Sequence, residues 1–340
     1  MNRRDFIRCG VGVTLSAGLM RNVLANSPEN AKGPFVPTLD GALCGDDSPL
    51  FSLIRCHKVA ISVGVGKPFK VLHVSDTHLN FMTVSDLLAA KVDDFELYEA
   101  RRQTFDAVSA FAACILMARK GGMTLLHTGD VWDYHSRGNY GFTRDAFRTA
   151  GDSFYAIGNH EIVGHWQEPP GTDREALRAL IEKYLPNETL FAARVINGVN
   201  FVSFDDNAVG KALTQKQFDG FKREFAKGLP VVVLCHCPLY SEEVYADISQ
   251  GKGKFAGMRK WDEGAMSYLV YGTRDFEREV NDWLLAQPNL KAVLCGHMHH
   301  MCQYELGPNK VPMYCAGCAG LAQREITPEN GRDVFEISFV

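Results

Sequence analysis

The sequence predicts an α/β protein with mixed sheets and helices outside them, and two observations carry that expectation. First, short apolar runs recur, each of roughly four to eight β-rich residues ending in polar residues that a buried strand does not need. They are FKVLHVSDTH (69–78), MTLLHTGDVWD (123–133), SFYAIGNHE (153–161), VVVLCHCP (231–238) and KAVLCGHMH (291–299). Continuous apolar character marks strands buried on both faces. Second, helical patterns lie between these runs.

Taken in order, residues 26–66 are spotted with Pro, Gly and Ser and close on the strand KVAISV. They read as an N-terminal extension packed on a domain of residues 67–340. A helical pattern over 96–120 stops at Gly121-Gly122. Others cover 174–184, 215–227 and 274–286. Residues 190–206 read as two strands around Asn197-Gly198, the signal of a type I′ hairpin. VPMYCAG and DVFEISFV complete the strands. Residues 134–148 and 239–273 read as long loops, and loops of that length are usually functional or mobile. The second reads as a substrate-site insertion.

Residues 1–25 carry adjacent Arg3 and Arg4, Arg8, a short apolar run over 9–20, and small residues around Ala25. This stretch resembles a twin-arginine export signal cleaved after Ala25. It implies a periplasmic or secreted protein, with the twin-arginine export machinery as a transient partner. No segment approaches the roughly 18 uninterrupted apolar residues of a membrane span. Cleavage would remove four of the 36 basic residues and one of the 40 acidic ones, leaving a net charge of −7. Such a surface makes a poor general nucleic-acid binder, which would want a basic one.

Of the ten cysteines, Cys235 and Cys295 end apolar runs and read as buried small hydrophobes. Cys302, Cys315 and Cys318 could include a disulfide in an oxidising compartment. A structural zinc at Cys315-x-x-Cys318 is not expected, since no second pair lies at finger-like spacing.

In open α/β sheets, ligands bind beyond the carboxyl ends of the strands. Five such ends here carry Asp76 and His78, Asp130 and Asp133, Asn159 and His160, His236, and His297 with His299. Oxygen and imidazole without thiolate suit Mn, Fe or Zn. The donors exceed what one tetrahedral ion needs, so two ions sharing a carboxylate are expected. On an extended chain His297 and His299 would face one way and His300 the other.

As a set these residues resemble the signature of the calcineurin-like metallophosphoesterase superfamily: D-x-H, G-D-x-x-D, G-N-H-[DE], a lone H, and G-H-x-H. Here they are Asp76-Thr-His78, Gly129-Asp130-Val-Trp-Asp133, Gly158-Asn-His-Glu161, His236 and Gly296-His297-Met-His299. The resemblance covers roughly residues 69–300. It implies a four-layer αββα sandwich with a dinuclear metal site at the C-terminal strand ends. Asp76, His78 and His299 would hold the first ion, Asn159, His236 and His297 the second, and Asp130 would bridge them. A hydroxide held between the ions would attack the phosphorus of a small-molecule phosphate monoester or diester. His160 would stabilise the transition state or protonate the leaving oxygen. Asp133 would orient a nearby group, with a structural ion pair as the alternative. The glycines before Asp130 and Asn159 would allow sharp turns beside the ions.

Tyr134 stands one residue out of register for the tyrosine of purple acid phosphatases, so a purple iron centre is not implied. The superfamily also includes scaffolds that have lost metal, and an exported nucleotidase or nuclease is a further alternative. The complete donor set favours a hydrolase over a scaffold. His73 and His127 are expected in the core or behind the site, His57 at the surface, and His135 and His165 in loops beside the site. Arg137, Arg144, Lys252, Lys254, Arg259 and Lys260 could add phosphate contacts, or simply form a solvated basic surface.

Overall fold

The computed structural model describes residues 54–64, 66–79, 83, 85–86, 107–162, 173–206, 213–250, 275–317 and 332–340. The export signal, residues 26–53 of the extension, helical positions 96–106, His165, Cys318, Lys252, Lys254, Arg259 and Lys260 lie outside the described residues.

The strands form two mixed sheets. The first has the order β1-β11-β2-β3-β4, built from β1 (Ile54–Ile61), β2 (Phe69–Val74), β3 (Thr124–His127), β4 (Ser153–Tyr155) and β11 (Arg332–Phe339). In it, β11 runs parallel to β1 and antiparallel to β2, while β2, β3 and β4 are parallel. The second has the order β5-β6-β7-β8-β10-β9. Its strands are β5 (Phe191–Ile196), β6 (Val199–Phe204), β7 (Val231–Leu234), β8 (Leu290–Cys295), β9 (Cys302–Leu306) and β10 (Val311–Cys315).

The helices are α1 (Ala107–Gly121), α2 (Arg137–Ala150), α3 (Asn159–Ile162), α4 (Arg174–Ile181), α5 (Gln215–Phe225), α6 (Glu242–Gln250) and α7 (Asp275–Leu285). Side-chain alternation along the strands explains the layering. Val232 and Leu234 of β7 and Ala292 and Leu294 of β8 face the first sheet, meeting Val71, Leu126 and Ile337. Val231, Val233 and Val293 point the other way, under Phe218 and Phe221 of α5 and Leu284 of α7. On the first sheet Leu72 and Val74 pack on Phe111 of α1 and Phe147 of α2. The result is α/β/β/α, and it is why these strands are apolar on both faces. Each such buried side chain contributes about 1.5–3 kcal/mol.

The hairpin at Asn197-Gly198 forms as expected, with φ of 48° and 86° at the two turn residues and Ile196 paired with Val199. Two expectations need correction. The segment 134–148 is not a loop, because α2 occupies most of it. Ser136 caps the helix by accepting from the Asn139 amide, and Phe142, Ala146, Phe147 and Ala150 form its buried stripe. Gly138 and Gly141 disguised that period. Likewise the segment after β7 opens with α6 rather than irregular chain.

Cys302 and Cys315 are register partners across β9 and β10, and neither forms a disulfide among the described residues. His57 is half-buried on the edge strand β1, with Nε2 2.8 Å from Asp333 Oδ1. Among the described residues no helix is long and apolar enough to cross a membrane.

Candidate metal centre

The chain beyond β2 and the chain beyond β3 run side by side. The Asp76, His78 and Leu79 amides donate to the carbonyls of Gly129, Asp130 and Val131, and Asp133 N donates back to Leu79 O. Asp76, His78 and Asp130 adopt left-handed conformations, with φ of 50°, 44° and 52°. Asp and His tolerate that region better than bulkier or branched residues. Beyond β8, His297 and His299 are also left-handed, at 68° and 59°. The alternation argument for this stretch therefore needs correction. A tight turn, not an extended strand, aims these two histidines, and Met298 between them is buried in the core behind the second sheet. His300 is exposed and donates from Nδ1 to Met298 O.

Close approach explains two glycines of the motifs. A Cβ on Gly158 would stand 2.3 Å from Asp130 N, and one on Gly296 1.8 Å from Ser75 Oγ. For Gly158 the requirement is space rather than the sharp turn expected from sequence.

The side chains converge in two groups that share one oxygen. In the first, His78 Nε2 and His299 Nε2 are 3.1 Å apart. Asp76 Oδ1 lies 3.4 Å from the His299 nitrogen and 3.7 Å from that of His78. In the second, His236 Nε2 lies 3.0 Å from His297 Nδ1 and 3.2 Å from Asn159 Oδ1. Asp130 Oδ2 is 3.1 Å from His236 Nε2 and 3.9 Å from His78 Nε2, so it faces both groups.

All these residues are buried except His299, which is partly so. Donor atoms about 3 Å apart are what neighbouring ligands show when each sits about 2.0–2.2 Å from one ion. Asp76 Oδ1 and Asp130 Oδ2 are buried and make no hydrogen bond, an arrangement that costs free energy unless a cation takes them up. The residues therefore fit two ions.

Each carboxylate is braced by its other oxygen. Asp76 Oδ2 accepts from the His297 amide at 2.8 Å, and Asp130 Oδ1 from the His160 amide at 2.9 Å. Two imidazoles are braced in the same way. His236 donates from Nδ1 to Thr128 O, and His78 Nδ1 lies 3.0 Å from Asp133 Oδ1, which leaves both Nε2 atoms facing inward. His160 donates from Nδ1 to Asp133 O, so its Nε2 also faces the site, 3.8 Å from Asp130 Oδ2. Asp133 thus touches two histidines, one by side chain and one by backbone.

The electrostatics follow from this packing. Burial opposes charge on Asp76, yet the imidazoles of His299 and His78 beside it hold it well below the carboxylate range. Burial likewise opposes charge on Asp130, and the charges of His236 and His160 hold it low. Burial pushes against protonation of His78, but Asp133 and Asp76 raise it to about 9. Asp130 does the same for His236, to about 10 against its burial. His160 moves the other way: burial lowers it to about 4, only partly offset by Asp130.

Sequence reasoning gave no role to Glu161 or Asp206. Glu161 is buried and accepts from the amides of Asp130, Val131 and Gly158 at 2.8–3.0 Å, locking the chain beyond β3 to α3. Its place in the G-N-H-E motif was the available signal. Asp206 is buried at the end of β6 and accepts from the Cys237 amide beside His236. A sixth strand end carrying acid, in SFDD, could have pointed to it.

His73 and His127 are buried behind the site, with Nε2 atoms 3.0 Å from Thr128 Oγ1 and 3.2 Å from Thr77 Oγ1. His135 does not line the cluster of metal-type donors; it packs on Trp132 with Nδ1 2.8 Å from Tyr140 OH. Arg144 is committed to Asp145.

The family description "Calcineurin-like phosphoesterase" matches residues 69–301, more than half of the chain. No curated protein matches the sequence. Among solved structures, a dimetal phosphatase from Danio rerio is similar at 13% identity and a TM-score of 0.44, covering 78% of this chain and 90% of that one. Phosphopantetheinyl hydrolase from Mycobacterium tuberculosis shares 10% identity at 0.39, covering 76% and 90%. GAP50, the anchor in the inner membrane complex of Plasmodium, shares 11% at 0.39, covering 74% and 71%.

Proposed function

The chain belongs to the calcineurin-like phosphoesterase family, and from that premise we propose that it hydrolyses a small-molecule phosphate monoester or diester with the help of two transition-metal ions. The single observation that carries this reading is the pair of donor groups meeting at Asp130 Oδ2. Asp76, His78 and His299 would hold one ion, and Asn159, His236 and His297 the other, with Asp130 shared. Mn, Fe or Zn suits this nitrogen and oxygen set. When bound, such a pair supplies a nucleophile at neutral pH and the positive charge that a phosphoryl group needs.

The protein's own residues do the rest. Asp133 keeps His78 Nε2 aimed inward by taking its other nitrogen. Asn159 sets His160 beside the site, since the two are neighbours at the start of α3. With Nδ1 donating to Asp133 O, a neutral His160 presents a lone pair at Nε2. It acts by taking a proton from solvent water as the negative phosphoryl group arrives beside it and giving that proton to the leaving oxygen. The export pattern at 1–25 supports release into the periplasm or beyond.

Chelation is expected to abolish hydrolysis of p-nitrophenyl phosphate and of its bis ester, and Mn or Fe to restore it. Full activity in protein shown by elemental analysis to be free of metal would sink the mechanism. Reloading should also depend on pH. His78 and His236 are raised above 6.5, so each holds a proton that an ion must displace. Calorimetric affinity for Mn should therefore rise between pH 7 and pH 9, about tenfold per unit for each proton displaced. A flat profile would contradict this.

A further inference from the structure

The guanidinium of Arg332, at the start of β11, is fully buried, and no acid pairs with it among the described residues. Its neighbour Asp333 serves Arg55 and His57 at the edge of the sheet. Arg332 instead turns to backbone. NH1 donates to Ser75 O at 3.2 Å and to Asp76 O at 2.7 Å, and NH2 donates to Thr77 O at 3.3 Å. Three successive carbonyls of the D-x-H segment therefore converge on one cation.

That convergence follows from the left-handed φ of Asp76, which turns its carbonyl out of the regular alternation. Converging carbonyl dipoles repel one another where no water reaches them, and a buried charged donor offsets that cost. A planar fork of donors matches the task, whereas a lysine's point charge does not.

We propose that Arg332 is a positioning residue for the metal centre, holding residues 75–77 in the conformation that presents Asp76 and His78 to one ion. This rests on the two-ion reading above. The test is calorimetric titration of Mn into metal-free wild type, Arg332→Lys, Arg332→Gln and Val334→Ala. Val334 is buried two residues along the same strand, so the last variant loosens β11 without touching the D-x-H segment.

Arg332→Gln should lose about 10–100-fold in affinity for one ion, the range for partners that orient ligands, and Arg332→Lys should lose less. Turnover of both should recover at saturating Mn with KM for the phosphate ester unchanged. Val334→Ala should melt earlier and keep wild-type affinity. Wild-type affinity in both arginine variants overturns the proposal, as does an equal loss in Val334→Ala. Failure of both arginine variants to fold also overturns it, assigning Arg332 to the core alone. Wild type that takes up no metal would instead overturn the two-ion reading itself.

Discussion

Asp130→Asn should strip the protein of at least one ion and lower turnover by about 10³-fold or more, the scale on which an interaction specific to the transition state matters. Among the described residues, Asp130 Oδ2 is the carboxylate oxygen that faces both histidine groups, at 3.1 Å from His236 and 3.9 Å from His78. Its partner Oδ1 is already committed to the His160 amide. An asparagine can keep that second contact through its carbonyl oxygen, but it then points an amide nitrogen at the two groups. That nitrogen is uncharged and a poor ligand.

The fold should survive the change, because the chain beyond β3 stays tied to Glu161 and to the chain beyond β2. Elemental analysis, circular dichroism and phosphatase assays on one sample check all three statements. Two bound ions with near-native turnover would refute the shared-carboxylate arrangement.

The second large effect is at His160. His160→Ala should lower kcat by about 10²–10³-fold, within the usual range for proton-transfer catalysis, while metal content stays near wild type. Its ring is at the edge of both groups, with Nε2 3.8 Å from Asp130 Oδ2. The leaving group separates the two ways it can act. If it gives a proton to the leaving oxygen, the loss should be large for an alkyl phosphate and small for p-nitrophenyl phosphate, whose leaving group needs little help. Equal losses on both would assign it to stabilising charge on the phosphoryl oxygens instead. Stoichiometric loss of metal would make it a ligand and discard both roles.

Much of the fold was legible because its strands are buried on both sides. Val231 to Leu234 alternate between the inter-sheet layer and α5, so neither face could carry a polar residue. Helix α2 was not legible, since two glycines interrupt a stripe that packing onto α1 nonetheless stabilises. The candidate ligands stood out because each closes an apolar run with a residue type the run has no use for. His297 and His299 were singled out on a mistaken geometry: two left-handed residues bring them to neighbouring groups, and no periodicity encodes that. Glu161, Asp206 and Arg332 escaped assignment for a common reason. Each acts on backbone that is distant in sequence, across 30, 31 and 256 positions for representative contacts, and only the packed sheets bring the partners together.

The place of β11 has a consequence for how the molecule assembles. This strand does not close an edge; it is inserted between β1 and β2, which have no direct pairing of their own in the sheet order. Its first residue then reaches the D-x-H segment some 256 positions earlier. Closing a loop of that length carries an entropic cost before any contact rewards it, so such pairing tends to come late. Until it does, β1 and β2 each present an open edge, and residues 75–77 lack their cation. Completing the sheet and fixing the D-x-H segment are thus one cooperative event, since the strand that fills the gap also carries the cation that residues 75–77 require.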